Sequence, residues 1–457
     1  MALGTGALKI VFVVAVIAVA GGMVASQTAD VSIWPGITGT GNTDTGTVDI
    51  TTTDVPSGET DDPTDVPTTP TYTHVDITGM TEITDVISIT ADGRYYIDGR
   101  TIASDSGAAI QVCPGVDVTI VIKGDCTITS DDSDAIRVAP TSKLTIMGYD
   151  GDSALTVEAA CTSGSGSGIG YKGSNTGDIT ISGIGGLHAY GKGADAFGIG
   201  GVNSSVEITD SHISEAIGGS DQGNGRDYAA ILDSYGKTGT GGPGIGGRNI
   251  TITGSVIDLA VGGPKGAGIG AIYHTATSIS IIDSTIGNAY GGTGSAGIGG
   301  SREMNGNNGT QTVTIYISNS DVTARGGDYG AGIGAGYDTY CQTNQGKCTI
   351  TIVSHSKITA QGGKYAAGIG TGYHTANLAG SIDSTVDITN VHCGQQKNSY
   401  TEAQDIGYGV IQKVYWTENS GNVNREAVQI FNGGIGFTIN DQTISMPTTL
   451  ANFDMTH

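Results

Sequence analysis

Along much of this chain apolar and polar residues alternate one for one. The runs Asn249-Ile250-Thr251-Ile252-Thr253, Ser278-Ile279-Ser280-Ile281-Ile282 and Thr349-Ile350-Thr351-Ile352-Val353 put isoleucine or valine at every second position. A period of two sends successive side chains to opposite faces, so each run predicts a strand with one buried face and one wet face. Beyond the first thirty residues or so, no stretch has the 3.6-residue spacing of an amphipathic helix. The pattern predicts an all-β protein.

These runs have fixed companions. The tripeptide Gly-Ile-Gly recurs with its isoleucine at Ile169, Ile199, Ile245, Ile269, Ile298, Ile333 and Ile369, at spacings of 30, 46, 24, 29, 35 and 36 residues. Periods in this range mark units that bury their apolar faces against one another. A second fixed point, Ala-x-Gly, begins at Ala189, Ala216, Ala260, Ala289, Ala324 and Ala360. Its middle residue varies from Ile to Arg, which predicts that this residue faces solvent while the alanine faces inward. From Ile257, Ile286, Val322 and Ile358 to the next Gly-Ile-Gly isoleucine the distance is 12, 12, 11 and 11 residues. The opposite half of the unit varies, so insertions should gather at one corner.

Three short strands per unit, joined by Gly-rich corners with no room for helices, predict a parallel β-solenoid. Equivalent isoleucines would stack as an inward ladder. At about 4.8 Å per strand, roughly nine or ten coils between Ile110 and Ile369 would give a rod roughly 45 Å long. Gly107-Ala108-Ala109-Ile110, Asp134-Ala135-Ile136 and Ala229-Ala230-Ile231 read as worn copies. The expected organisation is a hydrophobic export signal or retained helix over 1–26, a flexible stalk over 27–75, the solenoid over 76–395, and a cap or docking segment over 396–457.

Composition narrows the class. There are 77 glycines in 457 residues, and tyrosine (19) outnumbers phenylalanine (5) and tryptophan (2). A formal charge of −24 argues against a nucleic-acid partner, because phosphates require clustered Lys and Arg. Ile10 to Ala20 is an unbroken apolar run after a lone Lys9. Its length suits a signal-peptide core that is cleaved, or a helix that stays on the mature protein; membrane contact is then expected only through residues 8–25. From Gln27 to His74 there is no Lys or Arg, and Thr, Asp, Gly and Pro dominate. Such a segment buries too little apolar surface to offset its ordering entropy, which predicts an extended stalk. Together these features predict an extracellular or cell-surface setting.

Several residues are candidates for chemistry. Tyr273-His274, Tyr337-Asp338 and Tyr373-His374 each begin four residues beyond a Gly-Ile-Gly isoleucine. Stacked at coil spacing, Tyr273, Tyr337 and Tyr373 could hold sugar rings, with His274 and His374 reaching hydroxyls; the bland alternative is an aromatic stack that only stabilises the corner. Asn203, Asn249 and Asn308 begin glycosylation sequons. Six cysteines in an exported chain allow 15 pairings; Cys341 with Cys348, and Cys113 with Cys126, are the expected bridges. No finger-like metal spacing occurs. Asp131, Asp132 and Asp134 with Arg137 form an acidic group near one coil. Elsewhere Asp210, Asp283, Asp321 and Asp383 stand beside Ser, Thr or similar turn formers and read as Asx turns. The glycines flanking each isoleucine are either tight backbone positions or a smooth stripe for packing against another chain.

The segment Gly4-Thr5-Gly6-Ala7-Leu8-Lys9-Ile10-Val11-Phe12 resembles the start of archaeal flagellins and type IV pilin-like subunits. That resemblance implies a helix packed against its copies in a filament core. From Ala108 to Cys393 the repeat style is similar to Gly-rich β-helix surface and adhesin-like proteins. It implies a structural protein of the cell surface, an adhesin or filament subunit, whose partners are copies of itself, cell-envelope components or glycans. No enzymatic activity and no cofactor are expected; pectin and alginate lyases and polygalacturonases also use parallel β-helices, which keeps a polysaccharide-cleaving alternative in which calcium could take part.

Overall fold

In the computed structural model, the described residues are 69–161, 165–172, 175–220, 240–272, 276–302, 312–337, 347–373 and 377–394, with the backbone of short strands between 305 and 444. All belong to the second of two compact units, Asp61–His457. The expected N-terminal helix and most of the stalk lie outside the described residues.

Among the described residues every regular element is a strand. Three large sheets of 13, 11 and 11 strands are built from successive repeats, one strand per repeat in most coils. Strand pairing between repeats is parallel, which is the stacking of a β-solenoid. We name the sheets by their contents. The alternating sheet carries the long Ile/Thr strands such as Asn249–Thr253 and Lys347–Val353. The alanine sheet carries strands such as Thr285–Tyr290 and Asp321–Arg325. The glycine sheet has the shortest strands, including Ile298–Gly299 and Ile333–Gly334.

The isoleucine ladder runs through the glycine sheet without interruption. Ile87, Ile110, Ile136, Ile169, Ile199, Ile245, Ile269, Ile298, Ile333, Ile369 and Ile406 are Cα partners in succession. Those from Ile110 to Ile369 are at most 1% exposed and share one core with the inward positions of the other two sheets. Full burial contributes about 1.5–3 kcal/mol per isoleucine, as an upper estimate. The column is longer than nine or ten coils: Ile87 and Ile406 extend it at both ends, although neither has a glycine before it. Ile199 pairs directly with Ile245, and Ala229-Ala230-Ile231 lies outside the described residues.

The flanking glycines are tight backbone positions. A Cβ on Gly334, whose φ is +138°, would lie 1.9 Å from the Gly370 carbonyl oxygen, and one on Gly332 would lie 2.6 Å from that of Gly368. Neighbouring coils approach too closely here for any side chain, which replaces the idea of a stripe open to another molecule.

A second ladder is polar. At the corner between alternating and alanine sheets, Asp210, Gly254, Asp283 and Asn319 take left-handed backbones, with φ between 45° and 56°. A buried serine follows each: Ser211, Ser255, Ser284 and Ser320, with Ser356 continuing the series. The Ser255 Oγ accepts the Ser211 amide at 3.1 Å, Ser284 accepts that of Ser255 at 3.2 Å, and Ser320 that of Ser284 at 3.2 Å. Each hydroxyl donates in turn to a nearby strand-end carbonyl. These bonds satisfy backbone groups that the turn takes out of the sheet.

The Ala-x-Gly expectation needs correction at its middle residue. Arg325 and Gln361 are exposed, but Tyr190, Ile217 and Val261 are buried and form a separate apolar cluster with Leu259 and Tyr290. Position on the outward face of a strand does not guarantee solvent.

Candidate functional site

The glycine strand is the apex of a tight reversal. The Ala331 amide donates to the Ala335 carbonyl at 3.0 Å, and Ala367 to Thr371 at 3.1 Å, so the chain legs before and after each isoleucine are pinched together. Positions four residues before and four after the isoleucine therefore become neighbours. At two successive coils both positions are tyrosine: Tyr329 and Tyr337 around Ile333, Tyr365 and Tyr373 around Ile369.

The four rings form one cluster. Across each pinch, Tyr329 lies 5.4 Å from Tyr337 and Tyr365 lies 5.0 Å from Tyr373. Along the stack, Tyr337 and Tyr373 are 5.6 Å apart and 13° from parallel, while Tyr329 and Tyr365 are 5.9 Å apart at 29°. A diagonal contact of 5.4 Å joins Tyr329 to Tyr373. The Tyr373 amide donates to the Tyr329 carbonyl at 2.9 Å, which ties the two coils together under the rings. Tyr373 is 9% exposed; the other three are half-buried. Two cations lie on the cluster, the Arg302 guanidinium 5.6 Å from the Tyr337 centroid and the Lys364 ammonium 5.2 Å from that of Tyr365. Arg302 stands four residues beyond Ile298, one coil above Tyr337 in the same column.

Tyr329 and Tyr365 have left-handed backbones, with φ of 72° and 63°. For a bulky residue this conformation costs on the order of 1–2 kcal/mol. Other coils fill the equivalent position with Asp195, Lys265 or Gly294.

Thus two members of the expected tyrosine column, Tyr337 and Tyr373, are stacked; Tyr273, His274 and His374 lie outside the described residues. Tyr329 and Tyr365 escape a reading that follows one side of the repeat. Their signal is symmetry, a tyrosine at both minus four and plus four from the same isoleucine.

The remaining candidates fall in different places. Asn203 and Asn249 are exposed; Asn203 donates to Asn175 at 2.8 Å and Asn249 to the Ser205 hydroxyl at 3.3 Å. Asn308 lies outside the described residues. Neither expected disulfide forms. Cys113, Cys126 and Cys348 carry free thiols, and Cys341 is outside the described residues. Cys126 and Cys348 occupy inward positions of their strands, where alternation sends the sulfur into the core, away from any corner loop. Burial pushes the Cys348 thiol up to about 12.

The acidic group near Asp134 is structural. Its side chain is fully buried; it accepts the Ser167 amide at 2.8 Å and pairs with Arg137 at 2.9 Å. Asp132 accepts the Gly107 amide. Of the four expected Asx turns, Asp383 accepts the Thr385 amide, Asp210 and Asp283 occupy left-handed corners, and Asp321 lies in a strand facing Lys357 at 3.5 Å. One polar network has no counterpart in the sequence expectations: on the alanine sheet Tyr190 donates to Glu215, which lies 3.4 Å from His188, while His212 contacts Asp258 at 2.7 Å. Among the described residues no group of three or more His, Cys, Asp or Glu side chains is placed to hold a metal ion. Comparison with known proteins returns no relative: no family model, curated protein or solved structure matches the chain.

Proposed function

We propose that the chain is an exported structural protein of the cell surface, an adhesin or filament subunit that holds out its solenoid. The observation that carries this reading is the unbroken column from Ile87 to Ile406, a long stacked scaffold. The apolar run Ile10 to Ala20 and the stalk without Lys or Arg support export and display. Protease treatment of intact cells, followed by peptide mapping, tests the location. Release of solenoid peptides without lysis is expected, and their protection until lysis would overturn the reading. Intact mass of the released protein decides between a retained helix and a chain that starts near Ser26 or Gln27.

A second reading, carbohydrate binding, is favoured by the tyrosine cluster. Polysaccharide cleavage would require a carboxylate pair, or a proton-abstracting base beside bound calcium. Unsaturated or shortened products from acidic polysaccharides, assayed with and without calcium, would establish it.

A further inference from the structure

We propose that Tyr329, Tyr337, Tyr365 and Tyr373 form a binding site for a neutral polysaccharide, an inference that rests on the carbohydrate-binding reading above. Two observations converge. The first is the ring cluster itself, four tyrosines from two coils gathered at the corner with three of them half-buried. The second is the backbone: Tyr329 and Tyr365 are held in the left-handed region at successive coils. The left-handed backbone belongs to the reversal, since Asp195 and Lys265 share it at other coils; what is particular to these two coils is that the position carries a ring, stacked on its counterpart one coil away.

Charge selects the ligand. A chain of formal charge −24 repels polyanions. The two cations on the cluster, Arg302 and Lys364, are each laid against a ring. The rings themselves offer aromatic faces and phenol hydroxyls, which complement a ligand with apolar C–H faces and many hydroxyls. Coils repeat about every 4.8 Å, so an extended glycan lying along the stack would meet one tyrosine pair per coil.

The test uses the full chain on a panel of soluble neutral polysaccharides (glucan, mannan and galactan), with polygalacturonate as the charged comparison. The expected result is binding to a neutral member and none to polygalacturonate. The double substitution Tyr329→Gly with Tyr365→Gly should abolish that binding while the melting temperature stays close to the parent's, since glycine relieves both left-handed backbones. The double substitution to Phe keeps the rings and guards against loss of fold; it should weaken binding about tenfold, through two lost hydroxyl contacts. If the parent binds nothing on the panel, the carbohydrate reading itself falls. If it binds but both double variants bind as well as the parent, the assignment to this cluster falls alone. Preference for polygalacturonate, or a large drop in melting temperature in the Gly variant with binding unchanged in the Phe variant, would overturn the proposal.

Discussion

The hydroxyl of Ser284 accepts the amide N–H of Ser255 from the coil before it at 3.2 Å and donates to its own strand's Ile282 carbonyl at 2.6 Å. One small side chain thus joins two coils and closes a corner beside a core rich in isoleucine.

Replacing it with alanine leaves the Ser255 amide and the Ile282 carbonyl buried with a partner removed. Ser284→Ala should cost about 1–3 kcal/mol, read as a lower denaturant midpoint with unchanged slope. The exposed Ser278, changed the same way, should stay within about 0.5 kcal/mol of the parent.

Glycines of the two kinds should separate clearly. Gly334→Ala drives a Cβ into the Gly370 carbonyl and should destabilise by roughly 3 kcal/mol or more. Gly107 has φ of +75°, but a Cβ there would meet nothing within 4 Å, so Gly107→Ala should cost only the backbone term, about 1–2 kcal/mol. Paired thermal melts check the contrast.

Cys348 makes a pH prediction. Burial raises its thiol to about 12 in the folded chain, against an ordinary value of 9.0. A raised value means that the folded state holds the proton more tightly. The resulting stability is complete below about pH 9 and is lost as pH climbs towards about 12, at up to about 1.4 kcal/mol per unit. Chemical denaturation across that range should show a shallower decline in Cys348→Val than in the parent. At neutral pH the Cys348 thiol should resist alkylation until the chain unfolds.

How far these features could be read in advance depends on what the sequence spells. Gly-Ile-Gly marks close approach of coils, so Ile169 through Ile369 were readable directly. Ile87 and Ile406 were not, because the ends of the column can be held by pairing alone. The same letters also mislead: Gly183-Ile184-Gly185 is a corner beside the serine ladder, where Ile184 donates its amide to Ser211. Burial of Ile217 and Val261 could not be read from strand alternation, since alternation assigns a face and not what covers it. The tyrosine cluster was half legible, because Tyr337 and Tyr373 share one column, while Tyr329 and Tyr365 join them only through the pinch that brings opposite legs together. The cysteine pairings failed because sequence proximity said nothing about the inward position of Cys126 and Cys348.

The central claim is that successive repeats stack coil on coil, in register. Ser280 and Tyr316, 36 residues apart in sequence, are Cα partners on the outward face of the alternating sheet. Parallel neighbours about 4.8 Å apart fall within disulfide reach. The double substitution Ser280→Cys with Tyr316→Cys should therefore crosslink on mild oxidation, as mapped by peptide mass spectrometry. Ser280→Cys with Ser318→Cys, offset by two residues and so roughly 7–8 Å apart, should not. Equal crosslinking of both pairs, or none in the first, would contradict the stacked register on which the ladder and the tyrosine cluster both depend.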